Sequence, residues 1–156
     1  MDLYGIESFQ TNKLYPRVIN ERQCKRLVGL LESTISSSHS KILVGGEYDI
    51  GDLYIAPTIV HCSSFDCDLM KDEIFEPILP VLKVDSIKDA IDYVNSGPEP
   101  LMLYTFSPNL ESNDAIINQT ISGGCMSNDL FMNMIVRTLP FGGIGNSGLG
   151  GMFYCI

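Results

Sequence analysis

Two stretches of this chain carry side chains whose types and spacing could do chemistry. In Asp72-Glu73-Ile74-Phe75-Glu76-Pro77 a carboxylate stands two residues from an aromatic ring, with a proline close behind. A carboxylate can accept two hydrogen bonds from vicinal hydroxyls, and a phenyl ring packs on a flat heterocycle, so the pair suits a ribose beside such a ring. The same residues also read as an acidic loop with one core phenylalanine. The second stretch, Leu139-Pro140-Phe141-Gly142-Gly143-Ile144-Gly145-Asn146-Ser147-Gly148, lies in a tail that holds six of the fourteen glycines. Residues 143–148 formally match GxGxxG, but no strand runs directly into them and eight residues follow, too few for a helix and a second strand. A glycine-rich loop that lets the backbone approach closely is the physical reading. Phe141 within it reads, from the residues alone, as the buried anchor of a loop. Asn128 and Asp129 suit a turn out of a strand that bonds its own backbone, with a substrate contact as the other reading of Asn128.

The five cysteines are Cys24, Cys62, Cys67, Cys125 and Cys155. A nucleophilic cysteine needs a lowered pKa from a helix N-terminus or a nearby base. None stands in such a setting: Cys24 falls on an apolar helix face, Cys125 reads as a small core residue, and Cys155 is terminal. Cys62 and Cys67 beside His61 lack the second pair of ligands that zinc requires, so no metal site is expected.

Composition narrows the classes. Hydrophobic residues make up 45% and charged residues 19% of 156, which fits one packed domain. A net charge of −9 with scattered basic residues excludes the phosphate-binding patch that nucleic acid or an anionic membrane needs. No apolar run is long enough to span a bilayer. An odd number of cysteines and an N-terminus without signal-peptide character point to reduced thiols and a cytoplasmic setting.

These residues need elements to hold them. Asn20 caps a helix with Gln23 three residues on, and Cys24, Leu27, Val28, Leu31 and Ile35 form its apolar face. Lys41–Val44 is a short strand. Tyr54–Val60 is strand-like, with Pro57 demoting it to an edge or a bulge. Pro77–Val84 has the continuous apolar pattern of a strand buried on both faces. Ser86 caps a helix lined by Ile87, Ala90, Ile91 and Val94, and Leu101–Ser107 is another buried strand. Residues 109–121 form a weaker helix with Leu110, Ile117 and Ile121 inward, followed by a strand at Cys125–Asp129. Alternating strands and helices predict an α/β fold with a largely parallel sheet and flanking helices. Ligands in such sheets sit beyond the carboxyl ends of strands, which singles out the loops after Val60 and Asp129.

Glu73-Ile74-Phe75 with Pro77 resembles the glutamate–hydrophobic–phenylalanine–glycine–proline motif of the aldehyde dehydrogenase family, and Leu139–Gly148 resembles that family's Pro-Phe-Gly-Gly-x-x-x-Ser-Gly stretch. Ser122–Asp129 is similar to its Ser-Gly-Gly-Val-x-x-Asn-Asp segment. Tyr4-Gly5, Ser8, Arg17–Asn20, Gly45-Gly46-Glu47 and Tyr54–Thr58 extend the resemblance, in a fixed order, over residues 3 to about 151. It is closest to the fatty-aldehyde branch. Glu76 departs from the pattern, standing where the family has glycine. The position before a proline favours extended geometry, which glutamate tolerates, but Glu76 adds a third acid in five residues.

The resemblance implies that Glu73 holds the nicotinamide ribose of NAD or NADP, that Phe75 packs near the nicotinamide, and that Phe141 lines the aldehyde tunnel with Asn128 on the substrate side. It also implies that the nucleophilic cysteine, its oxyanion partner and the adenine-side fold lie upstream. The chain then reads as the C-terminal half of a catalytic region, one incomplete domain over 1–156 ending in a glycine-rich loop. It holds no catalytic residue, gives no turnover alone, and stops before the family's C-terminal arm or any membrane anchor. The whole enzyme would oxidise aldehydes to acids through a cysteine thioester. The alternative is a non-catalytic truncated module that binds a full-length relative or another partner through exposed apolar faces and strand edges. A decayed remnant without function is the third reading.

Overall fold

The computed structural model describes residues 9–37, 39–136, 139, 141–148 and 151–152. Tyr4, Gly5, Ser8, Pro140 and Cys155 of the sequence expectations lie outside the described residues. The chain divides into two compact units, Met1–Lys83 and Val84–Ile156.

In the first unit, α1 (Glu21–Ser37) begins where expected. Asn20 Oδ1 accepts the Gln23 amide at 3.0 Å, supplying one of the bonds a helix start lacks. Cys24, Leu27, Val28 and Leu31 of its apolar face are buried, and Cys24, Leu27 and Leu31 pack with Val18, Ile55, Val60, Leu69 and Ile78 into the core of this unit. The strands are β1 (Lys41–Val44), β2 (Tyr48–Asp49), β3 (Tyr54–Ile55), β4 (Thr58–His61) and β5 (Ile78–Val81). Pro57 falls in the break between β3, which pairs with β2, and β4, which takes the centre of a three-stranded sheet ordered β1-β4-β5. Pro57 therefore interrupts the expected strand rather than sending all of it to an edge.

Pairing in this sheet is mixed. β4 runs parallel to β5, matching Thr58 with Ile78 and Val60 with Pro80. β1 runs antiparallel to β4, with a register shift between Ile42 and Val44. Gly45 follows directly, at φ +72°, and a Cβ there would lie 2.2 Å from the Pro57 carbonyl oxygen. Only glycine fits that crossing. The expectation that β5 is covered on both faces is corrected: it is an outer strand of the described sheet, and Leu79 is 57% exposed. Its apolar run lacks a second covering layer among the described residues.

The second unit contains α2 (Ile87–Ser96), β6 (Met102–Thr105), α3 (Leu110–Gln119), β7 (Gly124–Ser127), α4 (Met132–Ile135), β8 (Phe141–Gly142) and β9 (Gly151–Met152). Ser86 caps α2, accepting from the Asp89 amide at 3.2 Å, and Ile91 is buried while Ile87 is exposed. β6 and β7 pair in parallel, and β8 pairs antiparallel with β9. The expected inner face of α3 is corrected. Leu110 is 71% exposed, Ile117 and Ile121 also face out, and Asn113 is buried instead. Asn109 accepts amides at the start of α3, and Asn113 Nδ2 donates to the Ser107 carbonyl at 3.2 Å. Those polar anchors set the rotation of a helix whose apolar residues are too few and too scattered to set it themselves.

Candidate functional site

Glu73 and Phe75 lie on the loop between β4 and β5, in the stretch that leads into Ile78, which pairs with Thr58 at the amino end of the parallel pair, and not beyond the carboxyl end of β4 where a ligand was expected. The loop is anchored at both ends. At its start a 3-10 turn, Asp68–Met70, packs on α1: Thr34 Oγ1 accepts the Leu69 amide at 3.2 Å, Ser33 donates to Asp68, and Lys71 pairs with Asp68 at 2.6 Å. At its end the Pro77 carbonyl accepts the Thr58 amide at 2.8 Å, tying the loop to the first residue of β4.

Between these anchors the backbone takes an unusual path. The Glu73 amide donates to Asp72 Oδ1 at 2.8 Å, and Glu73 is exposed, its carboxylate without a hydrogen bond or ion pair among the described residues. Phe75 adopts φ +60°, the left-handed region, and its side chain is 82% exposed. That conformation costs about 1–2 kcal/mol for a residue with a Cβ. Arg26 of α1 answers it from behind: its Nη2 donates at 2.9 Å to the Ile74 carbonyl, and its Nε donates at 2.7 Å to Gln23 Oε1. A hydrogen bond to a charged donor is worth about 1.5–3 kcal/mol, enough to offset the strain. Gln23 thus spends its side chain on Arg26, although sequence reading assigned it to a capping box.

Glu76 is half-buried. Burial pushes its carboxyl pKa up, and the Arg26 charge opposes that rise. Its charge is felt by Tyr15 and Cys24 as well. The glutamate that replaces the family's glycine therefore interacts with the inner side of the loop. It does not merely extend the exposed acidic edge of Asp72 and Glu73.

In chemical terms the loop offers an uncommitted carboxylate and a bare ring, two residues apart, on a backbone held by α1 and β4. Such an arrangement can accept hydrogen bonds from a vicinal diol and cover one face of a planar ring.

In the second unit, Asn128 follows β7 at φ +57°. Its Oδ1 accepts the Ser107 amide at 2.8 Å and its Nδ2 donates to the Ser107 carbonyl at 3.0 Å. With Thr105 Oγ1 and Ser127 Oγ 2.9 Å apart, this clasp locks the ends of β6 and β7 together. Asn128 thus bonds the backbone of a distant segment and not its own, while Asp129 Oδ1 accepts the local Leu130 amide at 2.7 Å. Phe131, also left-handed at φ +62° and 58% exposed, lies 6.3 Å from the Tyr104 ring. Nothing in the sequence analysis picked it out, and its only signal there was a large aromatic beside a turn.

Phe141 is placed by its backbone in β8, opposite Met152. Its ring lies outside the described part of the structure. The glycine loop comes close to the start of β7: a Cβ on Gly123 would stand 2.6 Å from the Gly142 carbonyl oxygen and 2.7 Å from that of Leu101. The two glycine-rich stretches of the sequence are therefore neighbours, and Gly123 makes the approach sterically feasible.

The described cysteines lie away from solvent. Cys24, Cys62 and Cys67 are buried and Cys125 is half-buried. Burial pushes the thiol pKa of Cys24 and Cys125 up, and that of Cys62, hydrogen-bonded to Cys67, to about 12. Thiolate character falls accordingly. No group of three or more His, Cys, Asp or Glu that could hold a metal occurs among the described residues. Nor is any helix among them long and apolar enough to cross a membrane.

Comparison with known proteins gives this geometry its context. A model of the aldehyde dehydrogenase family matches residues 9–154. The chain is 42% identical over 149 residues to aldehyde dehydrogenase family 3 member A2 of Rattus norvegicus, covering 96% of this chain and 29% of the rat protein. It is 40% identical to the dimeric NADP-preferring aldehyde dehydrogenase of the same species, covering 31% of that protein. Among solved structures, the substrate-bound state of AldH from Staphylococcus aureus superposes with a TM-score of 0.85 at 36% identity, over 94% of this chain and 31% of that one. The chain thus spans less than a third of the length of each of these proteins. With the family model matched over nearly all of the sequence, the chain belongs to the aldehyde dehydrogenase family.

Proposed function

We propose that this chain provides the nicotinamide-ribose and substrate-tunnel part of an aldehyde-oxidising enzyme of the fatty-aldehyde branch, as the C-terminal half of its catalytic region and as one incomplete domain. The observation that carries this reading is the Glu73–Phe75 loop, with its unpaired carboxylate and its exposed ring held in a left-handed backbone from behind. Glu73 would accept the ribose hydroxyls of NAD or NADP, and Phe75 would cover the nicotinamide. The nucleotide, when bound, supplies the hydride acceptor for aldehyde oxidation. Phe141 would border the aldehyde, and Asn128 would act through the Ser107 backbone that it clasps. The described cysteines do not suit nucleophilic attack, so the thiolate that the family uses would come from polypeptide beyond this chain, and the chain alone would not turn over. Reduced thiols and a cytoplasmic setting belong to the same reading.

A second reading, a module that associates with a full-length relative, is favoured by one feature. Each unit leaves apolar residues uncovered: Leu43, Val44 and Leu79 in the first, Phe106, Leu110 and Ile135 in the second. Calorimetric titration of the purified chain with NAD and NADP, beside an aldehyde-dependent assay of reduced nucleotide, separates the two. Nucleotide binding that Glu73→Gln and Phe75→Ala each weaken, without turnover, is the expected result. Binding unaffected by either substitution, or turnover by the chain alone, would overturn the first reading.

A further inference from the structure

The loop that carries Glu73 and Phe75 does not hold its own shape. Its left-handed residue follows a peptide whose carbonyl, that of Ile74, accepts from Arg26 of α1 at 2.9 Å. The Ile74 carbonyl and the Phe75 amide belong to one planar unit, so fixing the oxygen fixes the plane from which Phe75 starts. Arg26 is itself steered. Its Nε is taken up by Gln23 at 2.7 Å, and Gln23 sits one turn from the Asn20 cap, which bonds the Gln23 amide.

We infer that Arg26 is a positioning residue for the nicotinamide end of the cofactor: it fixes the Ile74 carbonyl and through it the pose of Phe75. This rests on the reading of Glu73 and Phe75 given above. Arg26 acts through the backbone of the loop and not by touching the cofactor.

The test uses the 156-residue chain, isotopically labelled, with the Ile74 and Phe75 amide signals and the Phe75 ring signals as the report on loop shape. Nicotinamide mononucleotide is the binding probe. The variants are Arg26→Met, which keeps the length of the side chain but loses its donors, and Arg26→Lys. Arg26→Met should shift the Ile74 and Phe75 signals and weaken the probe about tenfold, the effect of losing one hydrogen bond from a charged donor. Arg26→Lys should recover part of both effects, a rescue that general loss of packing would not give. The backbone signals of the Asn20 cap of α1 should stay in place. If Arg26→Met leaves Phe75 unmoved, or binds the probe as the parent does, the inference is wrong while the cofactor reading stands. If the parent chain binds no mononucleotide but Arg26→Met still moves Phe75, the cofactor reading fails and the control of the loop by Arg26 survives.

Discussion

Replacing Phe75 by glycine should cost almost nothing in stability, although it deletes a whole phenyl ring. Truncating a core phenylalanine costs about 3–5 kcal/mol. Here the ring is 82% exposed, so the burial lost is roughly a fifth of a full side chain's 1.5–3 kcal/mol, or about 0.3–0.5 kcal/mol. Glycine brings its usual entropic cost of about 0.5–1 kcal/mol. Against these stands relief of the left-handed strain at φ +60°, about 1–2 kcal/mol. The sum falls between about 0.5 kcal/mol of loss and 1 kcal/mol of gain. Phe75→Ala sharpens the test, because alanine loses the ring yet keeps the strain, and so should be less stable than glycine, the reverse of their usual order. Urea unfolding of parent, Phe75→Gly and Phe75→Ala supplies the free energies, and calorimetry with NAD shows binding lost in both variants. A loss above about 2 kcal/mol in Phe75→Gly would mean that the ring is packed and serves the core. Alanine more stable than glycine would remove the strained backbone, and with it the argument that this loop holds an aromatic out for a ligand.

Three further outcomes follow from the same geometry. Gly123→Ala places a Cβ 2.6 Å from the Gly142 carbonyl oxygen and 2.7 Å from that of Leu101; as these are backbone atoms, a loss of about 1–3 kcal/mol is expected, with faster amide exchange at Gly123 and Gly124. Exchange and unfolding unchanged from the parent would show that β7 and the glycine loop are not in close contact. Asn128→Ala removes both hydrogen bonds to Ser107 and should cost about 1–3 kcal/mol in urea unfolding, whereas a silent substitution would free Asn128 for a direct substrate role. Tyr15 donates its hydroxyl to the Ile55 carbonyl at 2.9 Å, and burial, with Tyr54 and Glu76 nearby, raises its pKa from 10.0 to about 12. The folded chain therefore holds this proton more tightly than the unfolded one. Stability is fully present below pH 10.0 and is lost as pH rises towards and through about 12, a loss that Tyr15→Phe should reduce in alkaline unfolding curves.

Local signals were strong wherever a single segment contains its own cause. The start of α1 at Asn20, its buried face of Cys24, Leu27, Val28 and Leu31, and the Ser86 cap were all legible, because capping and helical periodicity act within a few residues. The motif around Glu73 and Phe75 and the order of the segments were enough to point to the family. Tertiary structure decided what depends on distant partners. β1 runs antiparallel to β4, β5 is left uncovered at Leu79, and α3 turns Asn113 inward instead of Leu110, because pairing direction and rotation depend on which surfaces meet. The same holds for the candidate site. Sequence named Glu73 and Phe75, but their exposure, the left-handed turn at Phe75 and the Arg26 bond across 48 residues exist only once α1 packs behind the loop. A side chain's type is written in the chain, whereas the strain it bears and the group that relieves it are set by residues brought together in folding.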